Sequence, residues 1–130
     1  MTITNISLHN TNLNSKTYKR LSLFYDDMIS MSSDIGINKF FVRSRSHVMV
    51  TVLIASRNES FFSFEKLCDK IPSTVASRST IKSILDDGVK QDFYEKNECT
   101  DDRRIQLYKL NPKNFSYIKE WVERQHNIFK

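Results

Sequence analysis

The strongest constraint on this chain is its punctuation. Over residues 64–112 a helical apolar period breaks at Ile71-Pro72, breaks again at Gly88, and then changes kind. Proline cannot continue a helix and turns the residue before it toward extended geometry. A helix capped by Ser63, with Phe64, Leu67 and Cys68 on its inner side, must therefore end near Lys70. Ser73 or Thr74 is expected to cap a second helix, to which Val75, Ile81, Ile84 and Leu85 give an apolar side. Gly88 is the expected stop. Two short helices so closely joined predict a helix-turn-helix over 63–88. Beyond Gly88 the pattern becomes extended. Segments 89–95 and 103–110 read as strands, with apolar positions at Ile105 and Leu107 and, less strictly, Tyr108 and Leu110. The polar stretch between them suits a hairpin tip.

The flanks are helical. Tyr18, Leu21, Phe24, Tyr25, Met28, Met31 and Ile35 recur at steps of three and four, which predicts an amphipathic helix ending at Gly36. The stretch 47–56 is rich in β-branched residues and could be a buried strand. The run of 41–46 enters it without a turn and no partner strand follows nearby, so a buried helix over 44–57 is preferred, with a strand as the alternative. Asn111 followed by Pro112 is a cap with proline at the first helical position, and Phe115, Ile118, Trp121, Val122, Ile128 and Phe129 line the helix that follows. Residues 1–15, rich in Asn, Thr and Ser, read as a flexible arm ahead of a single domain over 16–130.

Composition removes several classes. Two glycines leave no glycine-rich phosphate loop, and two cysteines, Cys68 and Cys99, are too few for a thiolate zinc site. His9, His47 and His126 are not at metal-ligand spacing, no nucleophile–base pairing stands at a recognisable spacing, and no cofactor is expected, so the chain is not read as an enzyme. No apolar run reaches the length of a membrane span and the first residues lack a secretory core, which points to a cytoplasmic protein. The net charge of +5 favours a polyanionic partner. Residues 70–111 are nonetheless almost neutral, with eight basic and seven acidic side chains.

The segment 64–112 resembles the MarR-type winged-helix regulators. The resemblance is carried by 85–112, LDDGVKQDFYEKNECTDDRRIQLYKLNP, with a glycine-terminated helix, a first wing strand, an acidic tip bearing Asp102-Arg103-Arg104, and a strand returning to a helix cap. It implies a mainly α fold with a small β-hairpin wing: a helix-turn-helix over 63–88, a wing over 89–110, and flanking dimerisation helices over 16–36 and 112–130. It also implies a homodimeric transcriptional regulator that binds double-stranded DNA and, as in many relatives, a small-molecule effector. A wing arginine commonly enters the minor groove in that family, supported by an aspartate two positions earlier, which points to Arg104 and Asp102. That family usually carries two helices after the wing, whereas 18 residues follow Pro112 here.

Physical reasoning gives the same face without the resemblance. A helix fits the major groove and a hairpin beside it reaches the neighbouring minor groove. The expected recognition segment carries Arg78 and Lys82 and no acid before Asp86. Ser73, Thr74, Ser77 and Thr80 offer small hydroxyl donors for phosphates or base edges. Arg103 and Arg104 suit a narrow, electronegative minor groove. Arg43 and Arg45 form a further basic patch, either a solvated face or a flank to the duplex. The alternative function is a winged-helix protein-interaction adaptor, or an accessory factor that binds DNA without sequence preference.

Overall fold

The computed structural model of the chain describes residues 12–33, 37–57 and 61–130. The expected arm through residue 11, the helix stop at Gly36 and the apolar position Ile35 lie outside them. Helices dominate: α1 (Ser15–Ser33), α2 (Ile37–Phe41), α3 (Arg45–Ala55), α4 (Phe64–Lys70), α5 (Arg78–Lys90) and α6 (Phe115–Phe129). Strands β1 (Phe62–Ser63), β2 (Tyr94–Glu98) and β3 (Gln106–Leu110) form a small antiparallel sheet in the order β1-β3-β2, so the class is α+β.

The β-branched stretch is helical, as α3. Ser44 caps it, its Oγ accepting from the His47 N–H at 3.2 Å. Val50, Thr51 and Ile54 are buried against the rest of the core, and this tertiary burial outweighs the intrinsic strand preference. Thr51 would be a buried polar group, but its Oγ1 lies 2.6 Å from the Tyr94 hydroxyl. The centre of the core is aromatic. Phe93 stands 5.0 Å from Phe40 and 5.6 Å from Tyr94, ring centre to ring centre, with Phe41 and Trp121 edge-to-face beside them.

Three expected boundaries move. The second helix of the pair does not start at Ser73 or Thr74. Pro72 opens a turn whose carbonyl accepts from the Val75 and Ala76 N–H groups, and Ser77 is the cap, accepting from the Thr80 N–H at 3.2 Å. Gly88 does not end that helix either. α5 runs through it to Lys90, and the chain reverses at Asp92, in the left-handed region at φ 59°. There the Phe93 N–H bonds the Gly88 carbonyl at 2.8 Å and the Asp92 N–H bonds the Val89 carbonyl at 3.1 Å, the paired closure of a Schellman motif. This closure occupies residues 91–93, so the first hairpin strand begins at Tyr94 rather than at 89.

The parity of β3 is also corrected. Tyr108 and Leu110 are its buried residues, whereas Ile105 and Leu107 belong to the opposite parity, and Ile105 is exposed ahead of the strand. At the far end Asn111 caps a short 3-10 turn (Pro112–Asn114) that leads into α6. Asn114 is fully buried, and its Nδ2 donates to the carbonyls of Asp92 at 3.1 Å and Phe93 at 3.2 Å, tying the start of α6 to the lead-in of β2.

Helices α1 and α6 lie antiparallel on the outside. Phe24 meets Phe129 with ring centres 5.4 Å apart, and Asp27 accepts from Arg124 Nε at 2.6 Å and Gln125 Nε2 at 2.9 Å. Met31 is the buried residue of α1, and α6 has none. Tyr18, Leu21, Tyr25 and Met28, all expected on one apolar stripe, stay exposed, Tyr25 at 62%.

Candidate nucleic-acid interface

The sequence placed Ser73, Thr74, Ser77, Arg78, Thr80 and Lys82 on one helix. The structure divides them. Ser73 and Thr74 are exposed in the turn between α4 and α5, and Ser77 is the cap, its hydroxyl 3.1 Å from Ser79 Oγ and 3.0 Å from Thr80 Oγ1. Arg78, Thr80 and Lys82 are on α5 itself. With Ile81, Ile84, Leu85 and Gly88 turned inward, α5 presents Ser79, Thr80, Lys82 and Ser83 outward, and no carboxylate stands in its first two turns. Hydroxyls and cations at the N-terminal half of a helix are what phosphates and base edges require.

The cations of this surface are engaged. Arg78 donates to Glu65 of α4 at 2.5 Å and lies over the Phe64 ring, 5.0 Å from its centre. Its guanidinium draws the Glu65 carboxyl below the usual range. Lys82 Nζ bonds the Tyr108 hydroxyl of β3 at 3.2 Å and pairs with Asp86 one turn on at 3.2 Å. Both contacts, the tyrosine's foremost, push its pKa up against partial burial. Arg43, just ahead of the α3 cap, pairs with Asp87 near the end of α5 at 3.1 Å. Together with His47, Ser79, Thr80 and Ser83 they line a cleft of about 380 Å³. Burial, then the Arg43 charge, hold His47 below its ordinary value, partly opposed by Asp87.

At the hairpin tip the Cys99 N–H bonds the Ile105 carbonyl at 2.9 Å, closing the loop, and the Ile105 N–H returns to the Asp102 carbonyl at 3.0 Å. Asp102 takes three bonds from Arg104: the backbone N–H at 3.0 Å and Nε at 3.1 Å on Oδ1, and Nη2 at 3.0 Å on Oδ2. These bonds lower the Asp102 pKa. The Arg104 side chain is otherwise 90% exposed, and neighbouring Arg103 is exposed with no ion pair to a described residue. Hairpin and helix are seated against each other. Lys82 reaches β3 through Tyr108, and Tyr94, at the start of β2, fills the space above Gly88 of α5.

Glu65, Phe64 and Tyr108 were missed as partners of the site, and Arg43 was left open between two roles. No local spacing exposes such partners: Glu65 and Arg78 are 13 residues apart and Arg43 and Asp87 are 44 apart. Burial raises the Cys68 thiol pKa, the opposite of what a reactive thiolate needs. Among the described residues no His, Cys, Asp and Glu cluster could hold a metal ion, and no helix is long and apolar enough to cross a membrane. No protein-family model matches this chain, and no match was found among curated proteins or solved structures.

Proposed function

We propose that this chain is a winged-helix protein that binds double-stranded DNA as a homodimer and regulates transcription. In this reading α4 and α5 form the helix-turn-helix, α5 enters the major groove, and the β2–β3 hairpin is the wing, with Arg103 and Arg104 at the adjacent minor groove. The observation that carries it is the seating of an acid-free helix start and an arginine-bearing hairpin tip on elements packed directly together, through Lys82 on Tyr108 and Tyr94 over Gly88. A rigid relation between the two is what simultaneous contact with neighbouring grooves demands.

Pairing follows from the outer helices. Tyr18, Leu21, Tyr25 and Met28 on α1 and Val122 and Phe129 on α6 leave an apolar face of a kind that monomers seldom expose. A second copy covers it through a self-complementary contact of α1 and α6 and presents two α5 helices to half-sites about one duplex turn apart. A small apolar effector finds room beneath that face, in a cavity of about 330 Å³ walled by Phe24, Met31, Phe41 and Trp121. The ion pairs already held by Arg78, Lys82 and Arg43 favour a second reading, a protein-interaction adaptor on the same scaffold, because paired charges lend less to a phosphate backbone.

Selection from random duplexes separates the two. Recovery of a sharp two-fold symmetric site supports the regulator. Salt-sensitive binding without a preferred sequence supports an accessory role, and absence of duplex binding at low salt supports the adaptor.

A further inference from the structure

We infer that a basic trough at the junction of α3, β3 and α6 docks an acidic amphipathic peptide segment of a protein partner. Its deeper part is a cavity of about 260 Å³. The floor is Ile54, Leu110, Phe115 and Ile118, and the rim carries Arg57, Lys109 and Lys119. Helical geometry puts Phe115, Ile118 and Lys119 on one side of α6, so a single face supplies both floor and charge. A second hollow of about 110 Å³ shares Arg57 and adds Phe61, Lys66 and Lys70. Five cations thus border two hollows that share Arg57, and among the described residues no carboxylate lies in ion-pair reach of any of them. This contrasts with the candidate duplex face, where Arg43, Arg78, Lys82 and Arg104 all hold partners. Neither hollow shares a residue with the cleft along α5.

The chemistry of the occupant follows from that lining. Cations with no carboxylate in reach among the described residues call for acids, and an apolar floor calls for apolar side chains, so a polyanion alone leaves that floor unused. Two hollows meeting at Arg57 need an occupant that extends beyond a single small carboxylic acid. A helix or turn with acids outside and Leu or Phe inside meets both demands. A single-stranded nucleic acid fits less well. Three of the four floor residues are aliphatic, with Phe115 the one aromatic ring there, and a face of Phe61 is already covered by the Lys109 ammonium, 5.3 Å from the ring centre, so no run of open rings offers a stacking platform.

The inference stands without the duplex reading and is tested apart from it. The full chain is titrated, by fluorescence anisotropy, into a short labelled peptide of Glu and Asp with Leu and Phe at helical spacing. Three comparison probes are the same peptide with Gln for its acids, the same peptide with Ser for its apolar residues, and a short oligothymidylate. The parent peptide is expected to bind in the micromolar range and each comparison probe about ten-fold or more weakly. An Arg57→Glu/Lys119→Glu variant, changed at two exposed positions, is expected to lose about ten-fold for the parent peptide while its circular dichroism and its thermal unfolding stay as in the unmodified chain. No saturable binding of the parent overturns the inference. So does equal binding of the Ser-substituted peptide, or binding indifferent to the charge reversal. Tighter, competing binding of oligothymidylate reassigns the trough to single-stranded nucleic acid.

Discussion

Replacing Gly88 with alanine tests how α5 and the hairpin are held together. A Cβ at residue 88 would lie 2.2 Å from Tyr94 Cδ2, 2.4 Å from Tyr94 Cε2 and 3.1 Å from Phe40 Cζ. The first two approaches are far inside contact distance, so the Tyr94 ring must move. It has little room, being 1% exposed, packed on Phe40 and Phe93, and held at its hydroxyl by Thr51. Over-packing of this kind costs about 1–3 kcal/mol. Loss of the Tyr94–Thr51 bond adds about 1 kcal/mol. Against these, alanine within a helix is favoured over glycine by up to about 1 kcal/mol. The balance is a destabilisation of about 2 kcal/mol, or roughly 8 °C in Tm for a domain of this size. Thermal and urea unfolding of Gly88→Ala at fixed protein concentration measure it. The same change made on a Tyr94→Leu background, where the ring is gone, should be near neutral, giving a coupling of about 2 kcal/mol. If Gly88→Ala is as stable as the unmodified chain, or costs the same on both backgrounds, the close approach does not set this packing.

Four further outcomes are expected. Asp92→Gly removes the side chain from a left-handed position and should raise stability by up to about 1 kcal/mol, read by urea unfolding; a loss of stability contradicts that strain. Arg103→Ala/Arg104→Ala should weaken duplex binding and flatten the log–log salt dependence by about one unit per lost phosphate contact; an unaltered slope removes the tip from the interface. Tyr25→Glu/Met28→Glu should halve the sedimenting mass from about twice 15.3 kDa, and a monomer before mutation rejects the proposed pairing. His47, held below its ordinary value of 6.5 by burial and Arg43, binds fewer protons folded than unfolded. Stability should therefore be retained above 6.5 and fall as pH drops from there through the lower folded value, a slope that His47→Gln should flatten.

Much of the frame was legible because local signals decided it. The proline at 72, the Ser63 cap and the Asn111-Pro112 start each act within a few residues, and each does in the structure what its type requires. The misplacements have equally physical origins. Ser73, Thr74 and Ser77 are all competent caps, and the turn after Pro72 selects the last of them by occupying Val75 and Ala76. At Gly88 the usual inference from glycine fails because the residue is needed for closeness to Tyr94, not for a left-handed turn, and Asp92 takes the turn instead. Moving that turn carried the first strand with it. The parity of β3 went unread because Ile105, Leu107, Tyr108 and Leu110 give apolar residues to both faces.

The least legible feature is the state of the cations, and it bears most on function. Composition gave a net positive charge without its partners, and folding places carboxylates beside Arg43, Arg78 and Lys82 as well as beside Arg104, the one pairing the resemblance implied. Exposed pairs of this kind are weak and screened by salt, so a phosphate can exchange for the carboxylate. At the hairpin tip no exchange is needed. Asp102 engages Nε and one hydrogen of Nη2 of Arg104, which leaves the donors of Nη1 directed away from the carboxylate while the side chain loses its freedom to swing. A guanidinium fixed at two donors and open at the others surrenders less conformational entropy when it meets an acceptor than a free one does. Arg104 is thus the oriented cation of the pair, whereas Arg103 is exposed with no ion pair to a described residue. A larger affinity loss from Asp102→Asn than from Arg103→Ala in duplex titrations is the outcome this asymmetry requires.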